Sequence, residues 1–177
     1  PLTGPFATAG QLVAPALKYV EYSTNVTGGI GGKQVKIISE DSGYVPQNAL
    51  ANYQRALSTY GKDMIGYFGD STGFMKLVAP ELKGDSARIM PSTSFASELA
   101  DPENNPYQFL AGPSYEDQFD ILLQDIKNKG GSTVAFIHSN TEFGEDPIAH
   151  GRKRAEELGI KVVLVEATKP QGADIPT

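Results

Sequence analysis

Residues 64–82 read MIGYFGDSTGFMKLVAPEL, and this stretch decides the fold class. Its first five residues form a short apolar run bounded by glycine and polar residues, which predicts a strand. A loop with glycine at both ends follows at 69–73, and residues 74–82 are predicted to form a helix. Strand, loop and helix in this order are half of the unit from which parallel sheets are built.

The same unit recurs on both sides of this stretch. Towards the N-terminus, Leu12, Val13, Ala16, Leu17 and Val20 recur at steps of three and four residues, which predicts the apolar face of a helix. The predicted elements are helices over 7–26, 46–60, 74–82, 115–129 and 141–158, a helical turn over 95–99, and strands over 33–41, 64–68, 87–90, 107–111, 133–138 and 160–166. This alternation predicts the α/β class, with open, mostly parallel sheets that carry helices on both faces.

Two loops rich in hydroxyl groups follow neighbouring strands of this sheet. Ligands of such sheets bind outside the carboxyl ends of the strands, which is where these loops lie. The candidate ligand-binding residues of the two loops are Gly69, Asp70, Ser71, Thr72, Ser92, Thr93, Ser94 and Phe95. Hydroxyl and backbone N–H groups together can hold a carboxylate without a fixed positive charge. The same residue types are ordinary helix N-caps, so a purely structural role is the alternative.

An aromatic residue, Phe143, follows the strand predicted at 133–138. Its position after the carboxyl end of that strand is typical of a side chain that points across a ligand cleft. Packing in the hydrophobic core is the alternative. Near it, Glu142, Glu145 and Asp146 are expected to face the start of their own helix, where negative charge is favourable.

Composition and motifs argue against several other functions. The net charge of −6 is spread over both signs along the chain, so nucleic acid is not an expected partner. The glycine cluster GGIGGK at 28–33 lacks the Ser or Thr that follows the lysine of a phosphate-binding loop, and it leads from helix to strand, not from strand to helix. His138 and His150 share no spacing with acidic residues that would suggest a metal site. With no cysteine and no nucleophile motif, we expect a protein that is not an enzyme and needs no cofactor.

The order of short motifs along the chain resembles that of a known family. These motifs are PLTGPFA at 1–7 with Gly10, GGIGGK at 28–33 before Asp41, IG at 65–66, EL at 98–99, GPS at 112–114 with DQ at 117–118, and the run 134–138 followed by FGE at 143–145. In this order and spacing, the chain resembles the type I periplasmic solute-binding proteins of ABC transporters, in particular the receptors of the branched-chain amino acid type.

The resemblance implies a clamshell of two flavodoxin-like or Rossmann-like lobes that closes on a small ligand. The ligand's carboxylate would be held by Ser71 or Thr72 together with Ser94. A backbone carbonyl near Ser92 would accept a hydrogen bond from an amine, and Phe143 would close over the ligand from the second lobe. The implied partner is the membrane permease of an ABC transporter, and the implied location is periplasmic or extracellular.

The sequence departs from the family in two places in the implied site. Ala9 stands where such receptors often carry an aromatic residue, and the first loop is GDSTG in place of a plain serine run. The expected ligand is therefore an amino acid or another small carboxylate, an aromatic acid included.

Length is the larger departure, because members of the family are much longer than these 177 residues. We predict that residues 1–112 form a first lobe without its first strand and that residues 113–177 begin a second lobe. We expect the chain to be a piece of a longer protein or one that pairs with another chain. The alternative functions are the ligand-sensing domain of a signalling receptor with the same fold and, less favoured, a nucleotide-dependent enzyme.

Overall fold

The computed structural model describes residues 1–69, 71–83 and 89–170. Its α-helices are α1 (Ala7–Val26), α2 (Pro46–Tyr60), α3 (Thr72–Val78), α4 (Tyr115–Asn128), α5 (Glu142–Glu145) and α6 (Ile148–Glu157). Its strands are β1 (Met90–Ser92), β2 (Gln108–Leu110), β3 (Thr133–Ser139) and β4 (Lys161–Thr168), and short 3-10 turns lie at Gly61–Asp63, Glu81–Lys83 and Ser97–Ala100.

The described strands form two parallel pairs. Met90 of β1 lies opposite Gln108 of β2, and Thr133 of β3 lies opposite Lys161 of β4. Helices α5 and α6 make the crossover between β3 and β4, as a parallel pair requires. The predicted α/β class with parallel strands is confirmed.

The strand predicted at 33–41 is wrong, because the only bridge that the described residues make in this segment is the isolated one between Ile30 and Lys33. Asn25 of α1 bonds both backbone groups of Val35 at 2.7 Å, and Glu21 accepts a hydrogen bond from the N–H of Ile37. Alternate β-branched residues favour extended backbone, but a strand also needs a backbone partner. Here the side chains of α1 satisfy those backbone groups.

Two other predicted strands are shorter than expected. The segment 64–68 has a single parallel bridge, Gly66 opposite Ile89, in place of a strand. The strand predicted at 87–90 is found as β1, which begins at Met90, and residues 84–88 lie outside the described residues. The predicted strand at 107–111 is confirmed as β2, one residue shorter at each end.

The helices are predicted more accurately than the strands. The bounds of α1 and α2 agree with the prediction to the residue. The helix predicted over 141–158 is wrong, because it is divided into α5 and α6 around Pro147, whose ring removes the backbone N–H that a continuous helix needs. The helix predicted over 74–82 is found as α3, which starts earlier, at Thr72, and ends earlier, at Val78, two residues before Pro80.

Buried apolar side chains form two hydrophobic clusters. The first comprises Ala49, Tyr53, Phe74, Met75, Val78, Leu82, Met90, Ala96, Leu99 and Tyr115, and the second comprises Leu123, Phe136, Ala155 and Ile160. Helix α1 has no buried residue, and Leu12 of its predicted apolar face is 74% exposed. The division at residue 112 stays a prediction.

Candidate functional site

Three hydroxyl side chains from the two predicted loops meet at the start of α3. Ser71 precedes α3, Thr72 is its first residue, and Ser94 follows β1 two residues after that strand ends. The Oγ of Ser94 donates a hydrogen bond to the Oγ1 of Thr72 at 2.9 Å. The three side chains, which we call the hydroxyl cluster, are 6%, 2% and 1% exposed respectively.

Further hydrogen bonds hold the two loops together. The hydroxyl of Thr93 donates to the backbone carbonyl of Gly69 in the other loop. Within the second loop, the Oγ of Ser92 donates to the carbonyl of Ser94 at 2.6 Å. A Cβ at Gly69 would lie 2.3 Å from the sulfur of Met75 and 2.6 Å from the ring of Phe74, so this position has no room for a side chain. Asp70, the remaining candidate of the first loop, lies outside the described residues.

Ser71 has the structural role that the sequence offered as the alternative, and it keeps a donor for the predicted binding role. Its Oγ accepts a hydrogen bond from the backbone N–H of Phe74 at 3.2 Å, which makes it the N-cap of α3. A hydroxyl that accepts in this way keeps its own hydrogen. Within the described ranges, no acceptor takes that hydrogen, so it is available to a ligand.

Tyr115 connects the hydroxyl cluster to Phe143, and sequence reasoning missed it. Its hydroxyl lies 3.5 Å from the Oγ1 of Thr72. Its ring packs edge-on against two phenylalanines, with distances between ring centroids of 5.9 Å to Phe95 and 5.3 Å to Phe143. Tyr115 is 9% exposed, whereas Phe143 is 43% exposed. The structure thus brings Phe143 to the hydroxyl cluster through Tyr115.

Phe143 is placed by the turn that ends β3. A Cβ at Gly144 would lie 2.2 Å from the backbone oxygen of Ser139, so only glycine lets α5 approach the strand end this closely. The N–H of Gly144 donates to the carbonyl of Thr141 at 2.9 Å. This tight turn fixes the backbone next to Phe143.

Lys76 of α3 binds the acidic residues of the neighbouring elements. Its Nζ lies 2.8 Å from Asp146, 3.3 Å from Glu98 and 3.5 Å from Glu142. Burial disfavours the charged ammonium, but the hydrogen bond and charge of Asp146 and the charge of Glu98 outweigh it, which raises the pKa of Lys76 to about 12.

Glu142 and Glu145 lie in the first turn of α5, as predicted for the acidic group at 142–146. Glu142 and Asp146 in addition bind a cation on α3, which the prediction did not include. The available signal was the spacing of Thr72 and Lys76, which are four residues apart and therefore share a helix face.

The two histidines lie elsewhere and have their own partners. His138 lies 3.0 Å from the carbonyl of Ser139, and the Nε2 of His150 lies 2.7 Å from Asp120 on α4. Within the part of the chain that the structure describes, no three histidine or acidic side chains are grouped so as to hold a metal ion. The same part contains no helix with the length and apolarity that a membrane span requires.

Comparisons with known proteins agree in the kind of protein they match. A family model described as periplasmic binding protein matches residues 1–177. The Leu/Ile/Val-binding protein homolog 4 of Brucella abortus is 25% identical over 171 residues, covering 92% of this chain and 41% of that protein. A leucine-, isoleucine-, valine-, threonine- and alanine-binding protein of Pseudomonas aeruginosa is 24% identical, covering 94% of this chain and 44% of that protein.

Among solved structures, a branched chain amino acid ABC transporter from Thermus thermophilus with bound valine is similar to this chain in both sequence and shape. The two are 27% identical and superpose with a TM-score of 0.84, covering 94% of this chain and 43% of that one. The chain spans less than half the length of each of these relatives.

Proposed function

The chain belongs to the periplasmic binding protein family, and we therefore propose that it captures an amino acid or another small carboxylate for an ABC transporter. The proposed location is the periplasm, and the proposed partner is the membrane permease that receives the ligand. The relatives from Brucella abortus and Pseudomonas aeruginosa, whose names state binding of branched-chain amino acids, support this ligand class.

The observation that carries the proposal is the hydroxyl cluster. Ser71, Thr72 and Ser94 bring neutral hydrogen-bond donors from two loops to one place, and the hydroxyl of Ser71 keeps a hydrogen that no described residue accepts. A carboxylate is the acceptor that such donors bind most strongly, because hydrogen bonds to an ionised group are the strong ones.

The hydrogen-bond partners of the hydroxyl cluster favour ligand binding without chemical turnover. In the described residues, the partners of the cluster's hydroxyls are other hydroxyls of the cluster, two backbone N–H groups and Tyr115, and no histidine, carboxylate or lysine is among them. A general base must lie within hydrogen-bond reach of the proton it removes. The cluster is therefore suited to hold a ligand and not to activate a nucleophile.

The test of this function is a double substitution, Ser71→Ala with Ser94→Ala, measured by calorimetric titration with L-valine, L-leucine and benzoate. We expect the affinity for the carboxylate that binds wild-type protein to fall on the order of 100-fold or more, because the donor of Ser71 is removed and Ser94 no longer positions the hydroxyl of Thr72 by donating to it. The circular dichroism spectrum should be retained, since neither substitution removes a large buried side chain.

The matched control replaces two exposed serines, Ser58→Ala with Ser132→Ala, and should leave the affinity unchanged. Unchanged affinity in the variant that lacks the Ser71 and Ser94 hydroxyls would reject the proposed site. Failure of all three carboxylates to bind the wild-type protein would reject the proposed ligand class.

A further inference from the structure

Tyr115 lies between the hydroxyl cluster and the most exposed aromatic ring near it. Its hydroxyl has one described hydrogen-bond partner, the Oγ1 of Thr72 at 3.5 Å, the outer limit of such a contact. Its ring packs edge-on between Phe95 and Phe143, at interplanar angles of 87° and 75°. One side chain therefore joins the polar and the aromatic halves of the site.

The hydroxyl hydrogens at this point outnumber their acceptors. Ser94 donates its hydrogen to Thr72, so the hydrogens of Thr72 and Tyr115 remain. Between the oxygens of these two residues there is one long contact, and only one of the two hydrogens can occupy it. Within the described residues, the other hydrogen has no acceptor. A buried donor without an acceptor costs free energy, which a ligand oxygen would recover.

Three acidic groups near α3 share one cation of the protein. Glu98, Glu142 and Asp146 all lie within 3.5 Å of the ammonium of Lys76, one helical turn from Thr72. These contacts hold the three carboxylates next to Lys76 and leave the hydroxyls of Thr72 and Tyr115 without a charged partner among the described residues. The donor in excess at Thr72 and Tyr115 therefore favours a ligand that has a carboxylate.

From these observations we infer that Tyr115 is a ligand-contacting residue that determines specificity. Its hydroxyl accepts from Thr72 and donates its own hydrogen to the ligand's carboxylate, and its ring forms with Phe143 an aromatic wall that selects an aromatic carboxylate over an aliphatic amino acid. The partly exposed ring of Phe143 continues the edge-to-face row to which an aromatic ligand would add. This inference rests on the proposed capture of a carboxylate.

The first test is the selectivity of the wild-type protein, measured by calorimetric titration with benzoate, 4-hydroxybenzoate, L-leucine and L-valine. We expect the two benzoates to bind roughly fivefold to tenfold more tightly than the amino acids, because this ratio of affinities corresponds to the free energy of one additional aromatic pair. Tighter binding of L-leucine or L-valine would overturn the inference while leaving the proposed function in place. No binding of any of the four would reject the proposed function itself.

Two variants separate the hydroxyl from the ring. Tyr115→Phe removes only the hydroxyl and should lower the affinity for every carboxylate ligand by roughly tenfold, because each ligand loses the same hydrogen-bond donor. Tyr115→Leu also removes the ring and should abolish the preference for benzoates. Tyr19→Phe, on the exposed surface of α1, is the matched control and should change neither property. Unchanged affinity in Tyr115→Phe together with unchanged preference in Tyr115→Leu would overturn the assignment.

Discussion

On one side of Tyr115, the hydroxyl groups of Ser71, Thr72 and Ser94 are buried and bonded into the fold, whereas on the other side the ring of Phe143 is nearly half exposed. The hydroxyl groups of the first side are hydrogen-bonded to one another and to backbone N–H groups, so removing them is expected to lower the stability of the fold. The second side contacts the first through the packing of Phe143 against Tyr115 and through the ion pairs of Lys76 with Glu142 and Asp146. The proposed ligand-binding residues of the first side therefore also stabilise the fold, whereas Phe143, the proposed ligand-binding residue of the second side, is expected to contribute less to stability.

The largest expected effect compares two phenylalanines, one from each side. Phe74 is 1% exposed and lies in the first hydrophobic cluster, so Phe74→Ala should lower the free energy of unfolding by about 3–5 kcal/mol. Phe143→Ala removes one edge-to-face pair and should lower it by about 1 kcal/mol, while weakening ligand binding. Urea unfolding of both variants measures the two free energies of unfolding. Equal decreases relative to wild type would contradict the distinction between the two sides.

An intermediate effect is expected for Thr72→Val, which keeps the shape of the side chain and removes its hydroxyl. The Oγ of Ser94 then loses the acceptor of its hydrogen in a buried position, which should lower the free energy of unfolding by about 1–3 kcal/mol. Thr59→Val, an exposed helical position of α2, is the control and should stay within about 0.5 kcal/mol of wild type. If the two variants unfold at the same urea concentration, the hydroxyl cluster does not contribute to stability.

The smallest expected effect concerns Lys76, which links the two sides. Lys76→Met removes the ammonium but keeps most of the apolar stem, and should lower the free energy of unfolding by at most about 1 kcal/mol, because the pair is partly exposed and screened by solvent. The pKa of Lys76 is raised from its usual 10.5 to about 12 in the folded protein. Its contribution is therefore complete below pH 10.5 and is lost as the pH rises towards 12.

Urea unfolding of wild type and Lys76→Met at pH 8 and at pH 11.5 measures this contribution. The difference between the two proteins should shrink at the higher pH. Lys129→Met, which removes an exposed pair with Asp125 on α4, is the control and should have the smaller effect at pH 8. A difference that grows with pH would show that the ionic contacts of Lys76 do not stabilise the fold.

The sequence predicted those parts of the structure that depend on neighbours along the chain. Helices α1 and α2 have their predicted bounds because apolar spacing, a proline in the first turn of α2 and glycines past the ends are local signals. The two loops of the hydroxyl cluster were also predicted, since the carboxyl ends of parallel strands meet at one edge of a sheet. The binding role of their residues remains a prediction.

The sequence did not predict the parts that depend on distant partners. Tyr115 directly follows the N-cap of α4 and looks like an ordinary first residue of a helix, but it contacts Thr72, 43 residues away. The segment at 33–41 has the composition of a strand, yet the partner that decides whether it becomes one is another part of the chain. Neither contact has a signature within a window of neighbouring residues.

The hydrogen bonds between α1 and residues 33–41 affect the exchange of backbone amide hydrogens with solvent. Asn25 and Glu21 accept the N–H groups of Val35 and Ile37, and α1 has no buried residue of its own. Each of these amides is protected by one side chain of α1, so it exchanges for deuterium when that hydrogen bond opens, whether the side chain rotates or α1 moves. Their exchange rates therefore report the opening of the contact between α1 and residues 33–41, separately from the unfolding of either hydrophobic cluster.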